Sequence, residues 1–179
     1  MTKMTLENDG LLKTARLLCL VLRYAATTVA VLLLAIGLLG VLAMALGDFV
    51  AVPDNLKIRE SSDWLIVVIL LLAAITLWLS GKFLQRLVSI IDTVAEGDPF
   101  VEANAERLVS MAWFSLAITG LTVLLEELGA WYDAMQEIGN ESLSIEGAPE
   151  GILLSLVLFI LARVFRHGAA MRADLEGTV

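Results

Sequence analysis

The chain has 179 residues, of which 59% are hydrophobic, and a formal net charge of −8, with a mean hydropathy of +0.85. A soluble domain is ~45–50% apolar even with glycine counted; here the excess falls in blocks, which makes lipid the solvent and the chain one polytopic membrane domain with no room for a second globular unit. The acidic balance excludes the basic face that phosphate neutralisation demands, so no direct nucleic-acid binding is expected.

Residues 1–23 carry Lys3, Lys13, Arg16 and Arg23 against Glu7 and Asp9. Leu11, Leu12, Ala15, Leu18, Cys19 and Leu22 recur at helical spacing between the cations, which predicts a basic amphipathic helix leading into the membrane. Cys19 is the single cysteine; it can form no internal disulfide and reads as a small apolar residue. Residues 24–47 are uncharged and long enough to cross a hydrocarbon core of ~30 Å. Ala43-Met44-Ala45 imitates a signal-peptidase site, but the run exceeds a secretory apolar region of about 7–15 residues, so an uncleaved first span is expected.

A polar connection with the turn signal Pro53-Asp54-Asn55 leads to a second uncharged run at 64–81, with Trp64 and Trp78 near its ends, where interfacial aromatics sit. Beyond Gly81, Phe83, Leu84, Leu87, Val88, Ile91, Val94 and Ala95 continue with helical spacing while Lys82, Gln85, Arg86, Asp92 and Glu96 take the other face. The pattern breaks at Gly97-Asp98-Pro99-Phe100. Gly97 suits the positive-φ end of a helix, Asp98 the cap of the next one, and Pro99 its first turn. Val101, Ala105, Leu108 and Ala112 resume an apolar stripe that enters the third uncharged run, 108–125. A helix from Trp64 to Glu96 is about 50 Å long and overruns the hydrocarbon by roughly 20 Å. Helices 2 and 3 are therefore expected to extend into a helical hairpin over 82–107, either an elbow that turns the chain or a stalk on which a partner docks.

The loop that follows, 126–147, is strongly acidic. With Glu150 it presents Glu126, Glu127, Asp133, Glu137, Glu141 and Glu146 and no base. These carboxylates match no calcium loop and read as a solvated surface, with Trp131 and Tyr132 on a helical continuation at headgroup level. Asn140-Glu141-Ser142 is formally a glycosylation sequon, with meaning only in a eukaryotic cell. The fourth run spans about 148–165 if Arg163 snorkels; a re-entrant helix is the alternative. Residues 166–179 form the tail. With four spans, the N-terminal arm, the corner and the tail share one side and hold ten of the twelve Lys and Arg residues, against Lys57 and Arg59 opposite. That bias places both termini and the corner in the cytoplasm.

Catalytic chemistry has little to work with. His167 is the only histidine, set among Arg163, Arg166 and Arg172, and no Gly-rich phosphate loop, nucleophile elbow or Cys/His cluster occurs. No catalytic, cofactor-binding or metal residues are expected. Spans one to three contain only hydroxyls as polar groups, among them Thr27, Thr28, Thr76, Ser80, Ser115, Thr119 and Thr122, which bond their own helix or knit helices together. The absence of intramembrane charge there counts against ion-coupled transport, while a passive hydroxyl-lined path stays open. Ala26 with Ala30, and Ala43 with Gly47, would permit close helix approach and a homo-oligomer.

Two patches carry a family resemblance. One is Glu96-Gly97-Asp98-Pro99-Phe100 with Asn104 and Leu108; the other runs from Phe165-Arg166-His167-Gly168 through Met171, Arg172, Asp174 and Glu176 to Thr178-Val179. Together with four spans at matching positions they resemble a family of small bacterial membrane proteins known as domain of unknown function 2975. The family's pattern has Asn-Asp near the last acidic stretch, where this chain has Leu175-Glu176. The resemblance implies four transmembrane helices in a bacterial inner membrane, no assigned activity or cofactor, and a gene often paired with that of a small helix-turn-helix transcription regulator. A non-enzymatic regulatory protein follows, docking or sequestering such a regulator on a surface made by Gly97, Asp98, Pro99, Phe100, Asn104, Leu108, Phe165, Arg166, Gly168, Arg172, Asp174 and Thr178. Phe100 would supply apolar area, Asn104 a hydrogen bond or cap, and Arg166 and Arg172 steering charge. The competing readings are that these residues only fasten helix ends together, that the bundle is a small-solute transporter or channel component, and that the acidic loop senses envelope state.

Overall fold

The computed structural model describes residues 10–46, 63–135 and 148–176. They form four helices: α1 (Gly10–Leu46), α2 (Asp63–Ala95), α3 (Glu102–Met135) and α4 (Ala148–Glu176). By length and composition all four can cross a membrane, so the described residues form an all-helical, multi-pass membrane protein. The Pro53-Asp54-Asn55 turn, the sequon, most of the acidic loop and Thr178 lie outside the described residues.

The helices are longer than the uncharged runs within them. The basic stretch from Gly10 and the first apolar run are one helix, as are the second run and its amphipathic sequel to Ala95. Trp131 and Tyr132 continue α3 as the sequence suggested, and Trp131 meets Trp64 edge to face with centroids 6.2 Å apart. The tail after Arg163 continues α4.

Each helix packs on its neighbours in sequence, and α1 does not touch α3 or α4. The result is an antiparallel row, not a closed four-helix bundle. Close approach of α1 and α2 depends on glycine, as expected where lipid removes the hydrophobic drive between helices. A Cβ on Gly37 would lie 2.8 Å from Leu71 Cδ2, on Gly40 2.9 Å from Val67 Cγ2, and on Gly81 2.9 Å from Thr27 Cγ2. At the corner end Arg16 Nε lies 2.8 Å from Asp92 Oδ1. Cys19 is buried along the same helix, as a small apolar residue would be. Large apolar side chains of α1 such as Leu32, Leu39 and Leu42 are exposed, in keeping with a lipid-facing surface.

The core lies where α2, α3 and α4 meet: Leu108, Met111, Ala112, Leu158 and Ala162, with Phe83, Leu87 and Phe165 packed around it. Hydroxyls in the helices mostly bond backward, Thr76 to the Leu72 carbonyl, Ser80 to Thr76 and Thr122 to Ile118, each at 2.9 Å. Ser115 instead knits two helices: its Oγ donates to the Gly151 carbonyl at 3.2 Å.

This packing also sets a stagger. Leu108 shares a cluster with Ala162, so the last uncharged turns of α3 and α4 lie level and Arg107 and Arg163 follow them together. Arg107 reaches the Ser89 carbonyl on α2, yet the uncharged run of α2 stops at Lys82, two turns or about 10 Å farther from the corner. Lys82 Nζ lies over the Trp78 ring, 5.2 Å from its centroid. That contact offsets part of the cost of holding the ammonium at such a depth.

Gly81→Val should open the α1–α2 contact, since its branched side chain would meet Thr27. We expect a loss of about 1–3 kcal/mol, the usual range for overpacking, read as a lower unfolding midpoint of the detergent-solubilised protein. Thr27→Ala in the same chain should restore most of the loss.

Candidate functional site

The corner between α2 and α3 is where the sequence concentrates its unusual residues. Gly97 adopts a φ of 84°, its N–H donates to the Val94 carbonyl and that of Asp98 to the Thr93 carbonyl, each at 3.1 Å. This pair of bonds, wrapped around a left-handed residue, satisfies carbonyls that a helix end leaves open. Gly97 therefore ends α2 as its chemistry predicts.

The next two residues do not do what the sequence suggests. Asp98 was expected to cap α3 and Pro99 to occupy its first turn, but α3 begins at Glu102. Its opening turn is closed instead by the Asn104 N–H donating to the Val101 carbonyl at 2.9 Å. Asp98 and Pro99 stay outside both helices, proline disfavouring the helical conformation for its predecessor, and this frees both for contacts beyond a helix cap. The Asp98 carboxylate pairs with Arg172 of α4, and the Pro99 carbonyl accepts a bond from Asn104 Nδ2 at 2.9 Å.

Asn104 is the centre of the corner and is 0% exposed. Its amide nitrogen donates to Pro99 and to Thr93 Oγ1 at 2.8 Å, while Oδ1 accepts from Arg107 Nη1 at 2.7 Å. Thr93 passes its own proton to the Ile90 carbonyl at 2.8 Å, and Arg107 also donates to the Ser89 carbonyl at 3.1 Å. Both amide protons and the amide oxygen are thus occupied, which is what makes a buried polar group tolerable. One side chain joins the end of α2, the turn and the start of α3.

A second layer brings α4 onto this corner. Phe100 lies 5.4 Å from Phe165, the rings tilted by 44°, and rests on Gly168, where a Cβ would come within 2.7 Å of Phe100 Cδ1. Only glycine leaves α4 a seat for that ring. Together with the Asp98–Arg172 pair, whose residues are 74 apart in sequence, these contacts form a latch. The two patches picked out from the sequence, distant along it, are brought together. Leu108 lies in the core. Arg166 is exposed on α4, beside a cleft of about 390 Å³ that also contacts Asp98, Phe100, Glu102 and Arg172. Asp174 is exposed farther along α4.

The contributions of Thr93, Ser89 and Arg107 were not anticipated, nor was the Arg16–Asp92 pair. A signal existed for the first three: Ser89 and Thr93 sit four residues apart, Asn104 and Arg107 three apart, and such spacings put each pair on one helix face. The two polar rows flank one turn and so must meet. Nothing local announces Arg16 and Asp92, which are far apart in sequence and become neighbours only through the glycine-mediated α1–α2 packing.

A different site lies over α3, between α2 and α4: a cleft of about 380 Å³ lined by Ser80, Ser115, Thr119 and Thr122 with Phe83 and Leu154. Thr119 donates to the Ser115 carbonyl at 2.9 Å. The hydroxyl protons are largely committed to backbone, so this cleft offers acceptor oxygens and apolar surface. Among the described residues no group of three or more His, Cys, Asp or Glu could hold a metal ion. The geometry supports fastening and binding.

No protein-family model matches the chain, and no curated protein or solved structure matches it.

Asn104→Ala should leave Arg107, Thr93 and the Pro99 carbonyl without their shared partner, a loss of about 1–3 kcal/mol, visible as a lower unfolding midpoint. Gly168→Val should displace Phe100. If the ring and glycine act as one contact, Phe100→Ala will cost much less in a Gly168→Val background than alone.

Proposed function

We propose that this is a non-enzymatic, regulatory membrane protein that presents the α2–α3 corner and the end of α4 as one binding surface for a cytoplasmic partner. The observation that carries the reading is the convergence of the two patches. Asp98, Phe100, Arg166 and Arg172 line one cleft that lies against the latch, with both signs of charge at its rim. Asn104, Gly97, Gly168 and Phe165 serve recognition only indirectly, by holding that rim in shape, while Asp98, Phe100 and Arg172 belong to both the latch and the cleft. Glu102 and Arg166 are the side chains whose charges stand at the rim, and they would steer a partner by charge. The resemblance to domain of unknown function 2975 makes a small helix-turn-helix regulator the first candidate and a bacterial inner membrane the setting.

The charge bias supports an orientation with both termini and the corner in the cytoplasm. On that placement the corner forms a cytoplasmic hairpin extension, about 10 Å beyond the hydrocarbon measured from Arg107 and about 20 Å measured from Lys82. In a chain whose one native cysteine is replaced (Cys19→Ser), Glu102→Cys should react with a membrane-impermeant maleimide only after cells are permeabilised, while Met135→Cys should react in intact cells. The reverse pattern would invert the topology.

The docking reading is tested by crosslinking from native membranes with wild type, Glu102→Lys and Arg166→Glu. Wild type should recover a DNA-binding regulator and the two charge reversals should lose it, with all three equally inserted. A regulator recovered equally by all three, or by none, counts against the surface. A transporter or channel component is the second reading, and the hydroxyl-lined cleft between α2 and α4 is the observation that favours it. Solute flux in proteoliposomes that is abolished by Thr119→Val but unaffected by Arg166→Glu would support that alternative.

A further inference from the structure

Adjoining the Arg166 cleft at Phe100, α4 carries a second, larger groove, about 680 Å³, bounded by Phe100, Ile160, Arg163, Val164, His167 and Met171. Its composition changes along the helix. Leu153, Val157, Ile160 and Val164 form an exposed apolar stripe at spacings of three and four residues, so they lie in line on one face. The stripe ends at Arg163 and His167, which are one turn apart and exposed and have no hydrogen-bond or ion-pair partner among the described residues. Phe100, seated on Gly168, also borders the groove.

We propose that this groove binds one anionic phospholipid from the leaflet on the corner's side, with its phosphate between Arg163 and His167 and an acyl chain along Ile160, Val157 and Leu153. Three observations select this occupant. Arg163 is the first charge that α4 reaches after its uncharged run, level with the first charge of α3, which puts the cation pair at the depth of lipid phosphates if both runs lie in hydrocarbon. A guanidinium offers a planar fork that matches a phosphodiester, and an imidazole one turn away adds a second donor. The apolar stripe runs from the cations toward the membrane centre, the direction an acyl chain takes, and basic pockets at the cytoplasmic ends of transmembrane helices commonly hold anionic headgroups. A soluble helical partner would need apolar area on the corner side of Arg163; there the groove offers chiefly Met171 and the edge of Phe100.

The site depends on α4 crossing the membrane and is independent of any protein partner in the Arg166 cleft. The test uses the full chain in neutral detergent, titrated with phosphatidylglycerol or phosphatidylcholine of identical acyl chains, with bound lipid counted by native mass spectrometry. We expect wild type to retain one phosphatidylglycerol with at least about a tenfold preference over phosphatidylcholine. Arg163→Gln with His167→Gln should bring the preference to near unity, Arg163→Lys should keep part of it, and Arg166→Gln, which lines the adjoining cleft and not this groove, should leave it unchanged. Circular dichroism and gel filtration identify variants that have lost the fold. Val164→Trp gives a second readout that needs no charge change, because its fluorescence should be quenched by phosphatidylglycerol brominated along the acyl chain. Any of four results would overturn the site: no preference in wild type, an equal preference in the double variant, loss of preference in Arg166→Gln, or competition by inorganic phosphate at equal concentration. A photocrosslinker at Met171 that captures a protein from native membranes in place of lipid would assign the groove to a partner.

Discussion

The buried amide of Asn104 is the constraint on which the corner end of this protein depends. A fully enclosed Asn leaves no donor or acceptor without cost unless each is matched. Matching them here requires the chain to bring four things to one point: the Thr93 hydroxyl at the end of α2, the Pro99 carbonyl in the turn, Arg107 on the next turn of α3, and Asn104 itself. That set is compatible with one geometry of the α2–α3 hairpin. Gly97 allows it by taking a conformation that other residues adopt only at a cost, and the Asp98-Pro99 pair then projects toward α4. The amide network fixes the hairpin, and the hairpin fixes where Phe100 and Asp98 stand. Those two side chains capture α4.

Much of this architecture is legible in the sequence, because its signals are local or periodic. Four uncharged runs mark the helices, and Gly97 marks the end of α2 by its conformational freedom. What escapes is information that exists only between helices. Asp98 next to proline reads as a cap when the nearest helix is all one can consider, yet an arginine 74 residues away takes it. Gly168 has no reason to be glycine within α4; the reason is the Phe100 ring. The stagger of the α1–α2 pair relative to α3 and α4 is likewise invisible, since each uncharged run gives the length of a span and not its height relative to the others.

The open row has a mechanical consequence. Helices α2, α3 and α4 share a core and are joined at the corner by hydrogen bonds, an ion pair and an aromatic contact, whereas α1 adheres to α2 alone through glycine contacts and the Arg16–Asp92 pair. That pair is half-exposed, so solvent screening leaves it a small stabilising effect. The cohesion of α1 therefore rests on close packing against Gly37, Gly40 and Gly81, and lipid competes for each of those surfaces. The three-helix unit holds its shape through polar satisfaction that lipid cannot imitate.

The cations of α4 follow from this division. Arg172 is held by Asp98 and belongs to the fastening. Arg166 lines the cleft beside that ion pair, while Arg163 and His167 line the adjoining groove. At about 100° per residue, 163 and 167 align with the apolar stripe, and 166 sits about 60° round from 163, on the side of 169, 170 and 173. One helix thus borders two adjoining clefts, and Phe100, which lines both, is the single side chain through which occupation of one would alter the other.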